Sequence, residues 1–346
     1  MKFEHGALGT LGGVIAILIG LNVMAPPQNE TVAAKRVAGY VSGHASRQVS
    51  DQISDMVTAA GPQLSVPENL LDNAKAIAVN WQNPDVHALW QAYRQMNYDF
   101  KDVVEKNALV PRVALTKLPR NLNTISEVEK RKAIFFKMVL PLVLKVNERI
   151  RADRRRLWKI RYREATSLPI VAVDRLWLAV MAERYNVKRG NLNALFKRVD
   201  IVPPSLALAQ AAEESGWGTS RFVQEGNAIF GQWTFSTQGA LEPKSRDEDK
   251  NHGIKAFDNL IESVKAYVHN LNTHRAYREF RATRSVLRRV GAPLDGLVLA
   301  AKLKRYSQRG WDYVLTLRSI ILGNGLRELD DARLRGNPAP EEEPVA

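Results

Sequence analysis

The most constraining feature of this sequence is a segment of small apolar residues enclosed between Pro204 and Gly216. Its leucines and alanines fall on two helical stripes, which predicts a helix that is buried on most of its circumference. Proline suits the first turn of a helix, where its missing N–H is not needed, and glycine suits the left-handed stop. The segment therefore predicts a central buried helix that carries Glu214 in its last turn.

Glu214 stands at an unfavourable place for an ionised side chain. The C-terminal end of a helix carries partial negative charge and burial disfavours the charged form, so both should raise the pKa of this carboxyl group. A carboxyl group with a raised pKa can protonate a glycosidic oxygen near neutral pH. Composition alone favours the plainer alternative, in which Glu213 and Glu214 are surface carboxylates.

The rest of the sequence predicts a mainly helical fold, of mainly α or α+β class. Apolar residues recur at helical spacing within 67–110, 126–146 and 171–185, and a shorter helix is predicted at 191–199. The region 230–257 is predicted to contain strands or loops.

Two local features concern the helix that begins near residue 126. Ser126 and Glu129 have the spacing of a capping box, which predicts its first turn. A basic run follows at 149–163; it is interpreted as the solvated face of this helix, with contact to an anionic polymer as the alternative.

Composition shifts divide the chain into five predicted regions. These are an N-terminal anchor or signal peptide at 1–27, a helical or linker region at 28–125, a helical segment packing on the core at 126–198, a catalytic domain at 199–328, and a disordered acidic tail at 329–346.

The N-terminus carries an apolar stretch from Ala7 to Ala25. Val23 to Ala25 resembles a signal-peptidase site, but Pro26 and Pro27 follow it, and proline after the scissile bond is a poor substrate. An uncleaved anchor is therefore favoured over a cleaved signal. Either predicts a periplasmic protein, tethered to the inner membrane or secreted.

The net charge and the absence of cysteine limit which binding partners and which kinds of catalytic or metal site this protein can have. The formal net charge of +14 favours a polyanion such as an anionic cell-wall polymer or lipid, and no nucleic-acid-binding signature accompanies it. The absence of cysteine excludes disulfides, thiolate catalysis and sulfur-ligated zinc. His269 and His274 are five residues apart, where metal-binding helices prefer four, so neither a metal nor a cofactor is predicted.

The motif ESGWGTS at Glu214–Ser220 resembles the catalytic motif of glycoside hydrolase family 73, the endo-β-N-acetylglucosaminidase domain of bacterial autolysins and flagellar rod muramidases. Within that family the sequence is most similar to the proteobacterial Bax group. The resemblance covers about Val199 to Leu322. Its further segments are Asp200–Pro203, Gly226–Gly231, Ile254–Phe257, Leu260–Leu271, Asn272–Tyr277, Lys304–Ser307 and Tyr313.

The resemblance implies a lysozyme-like fold, in which a helical lobe carries the catalytic glutamate and a small β-hairpin lobe faces it across a groove. It implies that Glu214 is the general acid and that a second acid lies on the hairpin. Glu242 is favoured for that role, ahead of Asp247, Glu248 and Asp249, and a substrate-assisted mechanism would need none of them. Tyr306 matches a family tyrosine close to the catalytic glutamate.

A set of candidate substrate-binding residues follows from the same resemblance. They are Ser215, Trp217, Asn227, Phe230, Trp233 and Tyr313, of which the aromatic rings could stack on a pyranose face. One departure stands out, because Ala228 occupies the place of the family's asparagine and Asn227 precedes it. Either Asn227 supplies the missing hydrogen bond or the loop differs.

The function implied is cleavage of the β-1,4 bond between N-acetylglucosamine and N-acetylmuramic acid in peptidoglycan glycan strands. Two alternatives remain: a lytic transglycosylase, and a non-catalytic wall-binding scaffold whose helical N-terminal half docks a protein partner.

Overall fold

The computed structural model describes residues 84–234, 240–241 and 253–336. The predicted anchor or signal at 1–27 and the part of the helical region before residue 84 lie outside these residues. None of the described helices is both long and apolar enough to cross a membrane.

Helices dominate the described residues. They are α1 (Val86–Gln95), α2 (Phe100–Lys106), α3 (Val128–Ala165), α4 (Ala172–Arg184), α5 (Leu192–Arg198), α6 (Pro204–Ser215), α7 (Arg221–Gly226), α8 (Leu260–Thr273), α9 (Arg278–Arg289), α10 (Gly296–Ala300) and α11 (Trp311–Gly323). Short 3-10 turns lie at Leu122–Thr124, Arg275–Tyr277 and Leu326–Asp331. The predicted fold class, mainly helical and lysozyme-like with a small β lobe, is confirmed.

Helix α6 is the buried centre of the fold, as its sequence predicts. Pro204 occupies its first turn, and Gly216 ends it in the left-handed conformation at φ 55°. All but two of its residues are buried, and the two partly exposed ones are Glu213 and Glu214. The turn that follows is tight: a side chain at Gly218 would approach Leu118 to 2.9 Å. The catalytic candidate thus lies where the buried helix reaches the surface.

Helix α3 is 38 residues long and packs against α6. The predicted capping box at its start is wrong, because the helix begins at Val128 and Ser126 lies outside it. Glu127 takes the N-cap position, and its side chain makes no capping hydrogen bond. Glu129 pairs with Lys132 instead.

A buried ion cluster joins α3 and α9 to the connection that precedes α6. Asp200 accepts two hydrogen bonds from Arg288, at 2.9 and 3.2 Å, and lies within 4 Å of Arg154 and Arg284. Burial alone would raise the pKa of Asp200, but the three guanidinium groups hold it well below its usual value. Arg154 belongs to the basic run that was interpreted as solvated, so that interpretation is wrong for this residue.

The β lobe has three short strands rather than a single hairpin. Strands β1 (Trp233–Thr234) and β2 (Ala240–Leu241) both pair antiparallel with β3 (Gly253–Lys255), which lies between them. Ile254 is opposite Trp233 on one side and Leu241 on the other.

The C-terminal region corrects the predicted start of the acidic tail. Leu329 and Leu334 are buried, and Val110 exchanges backbone hydrogen bonds of 2.8 Å with Arg333 and Arg335. Asp330 accepts hydrogen bonds from the backbone N–H groups of Ser205 and Gly296. The chain after residue 329 therefore still belongs to the fold, because it caps α6; residues 337–346 lie outside the described part.

Candidate active site

Glu214 presents a partly exposed carboxyl group at the end of α6. Its Oε1 atom accepts a hydrogen bond of 2.8 Å from the hydroxyl of Tyr313 on α11. Burial raises the pKa of Glu214 to about 7, and the nearby charge of Glu213 adds to this, while the Tyr313 hydroxyl and Arg309 oppose it. The predicted rise in pKa is present, with burial as its main cause.

A buried hydrogen-bond chain runs from α8 through α6 and α11 to this carboxyl group. The hydroxyl of Tyr267 donates to Oε1 of Gln210 at 2.7 Å, and Nε2 of Gln210 donates to the hydroxyl oxygen of Tyr313 at 2.9 Å. Tyr313 then donates to Glu214. Burial holds the pKa values of both tyrosines well above the ordinary value, so both stay protonated.

Gln210 determines the direction in which the hydrogen bonds of this chain are donated. Its amide nitrogen can only donate, so the Tyr313 oxygen accepts there and its proton is directed at Oε1 of Glu214. When Glu214 is protonated, its own proton is therefore favoured on Oε2. Gly231 borders that atom: a Cβ added to this glycine would lie 3.6 Å from Oε2.

Glu213 has a different environment although it is adjacent in sequence. It forms an ion pair with Arg309, which also donates a hydrogen bond of 2.7 Å to Thr316. Glu213 therefore has a basic partner, whereas the carboxyl group of Glu214 accepts its hydrogen bond from a tyrosine hydroxyl.

Tyr306 and Tyr313 form a parallel pair beside Glu214. Their ring centroids are 5.6 Å apart, with an angle of 2° between the planes. The Tyr306 side chain is buried and its hydroxyl donates a long hydrogen bond, 3.4 Å, to the carbonyl of Phe230. Tyr306 thus supports Tyr313 and the loop at Phe230, and a direct catalytic role for Tyr306 stays a prediction. Tyr313, predicted to bind substrate, contacts Glu214 itself.

The expected substrate contact of Ser215 needs correction. Its side chain is fully buried, donates to the carbonyl of Ala211 at 2.6 Å and accepts from the N–H of Gly218 at 2.8 Å. Both capacities of the hydroxyl are used inside the protein, so Ser215 shapes the turn after α6.

Trp217 lies on the side of this turn that faces α3. Its ring meets Phe135 and Phe136 edge-on, at centroid distances of 6.0 and 5.3 Å, and the Lys132 ammonium lies 5.5 Å from the ring centroid. The tryptophan anchors the end of α6 to α3 while its ring stays partly exposed, so its expected substrate contact stays a prediction.

The loop after α7 shows which hydrogen bond Asn227 makes beside Ala228. Asn227 adopts a left-handed conformation, and its amide donates to the carbonyl of Phe257 at 2.8 Å. Asn227 therefore supplies a loop-fixing hydrogen bond, and its expected role in substrate binding is corrected to a structural one. Ile229 adds a second anchor through its N–H, which donates to Ser263 at 3.1 Å.

The predicted stacking of the Phe230 ring on a sugar is also wrong. Its side chain is 1% exposed and stacks on Tyr267 at a centroid distance of 3.8 Å with an angle of 6° between the planes. No ring face is left for a sugar; the stacking instead holds the first member of the hydrogen-bond chain.

The remaining candidates were assigned to the β lobe. Glu242, Asp247, Glu248 and Asp249 lie outside the described residues, and for Trp233 the structure describes only the backbone, paired with Ile254. The structure adds Gln210 and Tyr267, which the sequence prediction missed. The available signal for Gln210 was a polar residue one turn before Glu214 within the run of leucines and alanines of α6. The described ranges contain no group of three or more His, Asp and Glu side chains suited to a metal ion.

Residues 191–312 match the family described as Glucosaminidase, mannosyl-glycoprotein endo-beta-N-acetylglucosaminidase. This match starts and ends earlier than the predicted catalytic domain at 199–328. The chain is also similar to protein bax of Escherichia coli (strain K12), with 37% identity over 189 residues. That alignment covers 53% of this chain and 66% of the relative, just under two thirds of its length. No solved structure gives a significant match.

Proposed function

Because residues 191–312 carry a glucosaminidase-family domain that resembles Bax, we propose that this protein is a glycosidase that cleaves peptidoglycan and uses Glu214 as its general acid. The observation that carries the proposal is the partly exposed Glu214 carboxyl group, whose pKa is raised to about 7. Such a group is protonated for a substantial fraction of the time at neutral pH and can lose its proton during the reaction.

The reaction begins with a sugar chain bound so that the glycosidic oxygen approaches Oε2 of Glu214. Tyr313 holds Oε1, so the acidic proton lies on the side of Gly231 and transfers to the leaving oxygen as the bond to the anomeric carbon breaks. The Tyr313 hydrogen bond then stabilises the carboxylate that forms.

The oxocarbenium-like centre needs a second group on the opposite face of the sugar. We propose that Glu242 or the 2-acetamido group of the substrate supplies it. The bond proposed for cleavage joins N-acetylglucosamine to N-acetylmuramic acid. The net charge of +14 suits this substrate, because the stem peptides of the wall carry carboxylates.

A periplasmic location, held at the inner membrane by the apolar stretch from Ala7 to Ala25, stays part of the proposal. Tethering would limit the reach of a lytic enzyme to the nearest glycan layers. Docking of a protein partner on the helical N-terminal half likewise stays a proposal.

Digestion of purified peptidoglycan by wild type, Glu214→Gln and Glu213→Gln tests the assignment. General acid catalysis contributes about 100-fold to 10,000-fold, so Glu214→Gln should lose activity on that scale. Glu213→Gln is the matched control, one residue away and paired with Arg309, and it should keep most of the activity. Equal activity of wild type and Glu214→Gln would overturn the assignment of the acid.

Mass spectrometry of the products tests the bond and the reaction. Fragments with a reducing N-acetylglucosamine end support the proposed hydrolase. Anhydro-muramyl ends would instead identify a lytic transglycosylase. No digestion by folded wild type, with retained binding to the sacculus, would favour a wall-binding scaffold.

A further inference from the structure

Helix α4 has apolar residues on opposite sides, but only one side is buried. Met181 and Ala182 are buried, whereas Val173, Leu176 and Val180 on the other side are exposed to 64%, 68% and 47%. Spacings of three and four residues place these three on one stripe. An apolar stripe on a helix normally faces other apolar groups, so this second stripe is expected to have a partner.

The stripe belongs to a larger apolar region. Six of the fourteen large hydrophobic side chains that are exposed in the described ranges fall within residues 162–180. We call them the α4 face; they are Tyr162, Leu168, Val171, Val173, Leu176 and Val180. Single exposed apolar residues are ordinary, but a concentration of this kind marks an interaction surface.

Positive charge surrounds this face. Residues 149–189 contain twelve Lys and Arg but only four Asp and Glu. Arg154 is buried with Asp200, and Arg149 and Arg156 are paired with Asp153 and Asp174. Nine Lys and Arg and two acids of this segment remain after these pairs, so the excess of positive charge persists. The guanidinium of Arg163 donates to the backbone carbonyl of Pro169, which keeps a full positive charge next to the exposed connection.

We propose that the α4 face docks on an anionic lipid surface. Apolar side chains at the boundary between head groups and acyl chains, with Lys and Arg against the lipid phosphates, are the known chemistry of interfacial helices. A second copy of the chain fits less well, because pairing two such faces would bring two positively charged surfaces together.

Helix α4 and the turn beside Glu214 contact different parts of α3. Phe135, near the start of α3, contacts Trp217 just after Glu214, whereas Arg156, further along α3, pairs with Asp174 on α4. At 1.5 Å rise per residue, these two points of α3 are about 30 Å apart. The α4 face and the turn beside Glu214 therefore contact parts of α3 that are far apart, so docking through α4 does not require the residues around Glu214 to touch the bilayer.

Site-specific labelling of the full-length protein tests the proposal, and the absence of native cysteine makes single labels clean. Leu176→Cys and the control Leu322→Cys, which is exposed to 60% on α11, each receive an environment-sensitive fluorophore. Vesicles contain phosphatidylglycerol in phosphatidylcholine, or phosphatidylcholine alone. Because the label reports on its own surroundings, attachment through the N-terminal apolar stretch does not mimic the signal.

With anionic vesicles, emission at position 176 should shift to the blue and fall about twofold when acyl-chain quenchers are added, since such helices insert about 5–10 Å. The signal should weaken in ~1 M salt, where the Debye length is about 3 Å. Position 322 should not respond.

Two results would overturn the proposal. One is an unchanged label at 176 on protein that sediments with the anionic vesicles. The other is a blue shift at 176 that grows with protein concentration without vesicles, which would assign the face to a second copy. The variant Val173→Ser with Val180→Ser, in the Leu176→Cys protein, should lose the lipid signal while its thermal melting stays unchanged.

Discussion

The hydroxyl of Tyr313 donates a hydrogen bond of 2.8 Å to Oε1 of Glu214, although the two residues are 99 positions apart in the chain. This contact joins the last turn of α6 to the first turns of α11. It fixes one oxygen of the carboxyl group inside the protein, and so leaves the other for the substrate.

Tyr313→Phe tests what this hydrogen bond does to the acid. The bond favours the carboxylate, so its removal should raise the pKa of Glu214 further above about 7. The falling limb of activity on the alkaline side should move to higher pH, and kcat should fall on the order of tenfold because the carboxyl group loses its fixed position. A pH–rate profile measures both, and a limb at the wild-type pH would contradict the account.

Gln210→Leu separates positioning from stability. It should lower the free energy of unfolding by roughly 1–3 kcal/mol, because the Tyr267 hydroxyl is left buried without a partner, and it should also change the pH–rate profile. The double variant with Tyr267→Phe removes that orphaned hydroxyl. Thermal melting should recover in the double variant while the altered profile remains; joint recovery would show that Gln210 acts through stability alone.

Glu214→Gln should stabilise the protein at neutral pH. The folded pKa of about 7 lies above the ordinary value of 4.5, so wild type binds more protons folded than unfolded between these values and loses stability as the pH rises through them. The variant does not titrate there. Its advantage in urea unfolding should grow from near zero below pH 4 to roughly 3 kcal/mol at most above pH 7. A constant difference across this range would contradict the raised pKa.

Gly231→Ala should impair catalysis more than stability alone explains. The residue has a φ of 55°, where a Cβ costs roughly 1–2 kcal/mol, and that Cβ would also lie 3.6 Å from Oε2 of Glu214. Gly291→Ala is the matched control, with a φ of 65° and no atom within 4 Å of the added carbon. Both variants should lose similar melting temperature, but only the first should lose kcat/KM; equal activities would remove Gly231 from the site.

The sequence predicted the features that depend on neighbouring residues. Pro204 and Gly216 bounded α6 correctly, because each acts on its own backbone. The sequence did not predict the hydrogen-bond chain from Tyr267 through Gln210 to Tyr313. Tyr267 is 57 residues from Gln210 and Tyr313 is 103 residues from it, so the three side chains meet only when three helices pack.

Burial accounts for the corrected candidates. The resemblance suggested Ser215 and Phe230 as substrate contacts, but their side chains point into the core. A motif match identifies which residues lie near the site, but it does not show which side chains face the substrate and which face the core. The predicted start of the disordered tail at residue 329 was wrong for a related reason. Leu329 and Leu334 pack against apolar residues that are distant in the sequence.

The most direct test of the central claim is a carbon-13 NMR titration of the Glu214 carboxyl group, assigned as the resonance missing from Glu214→Gln. We expect a midpoint near pH 7 that coincides with the falling limb of kcat/KM on peptidoglycan, because kcat/KM reports the pKa values of the free enzyme. A midpoint near the ordinary glutamate value, with activity unchanged through neutral pH, would contradict it.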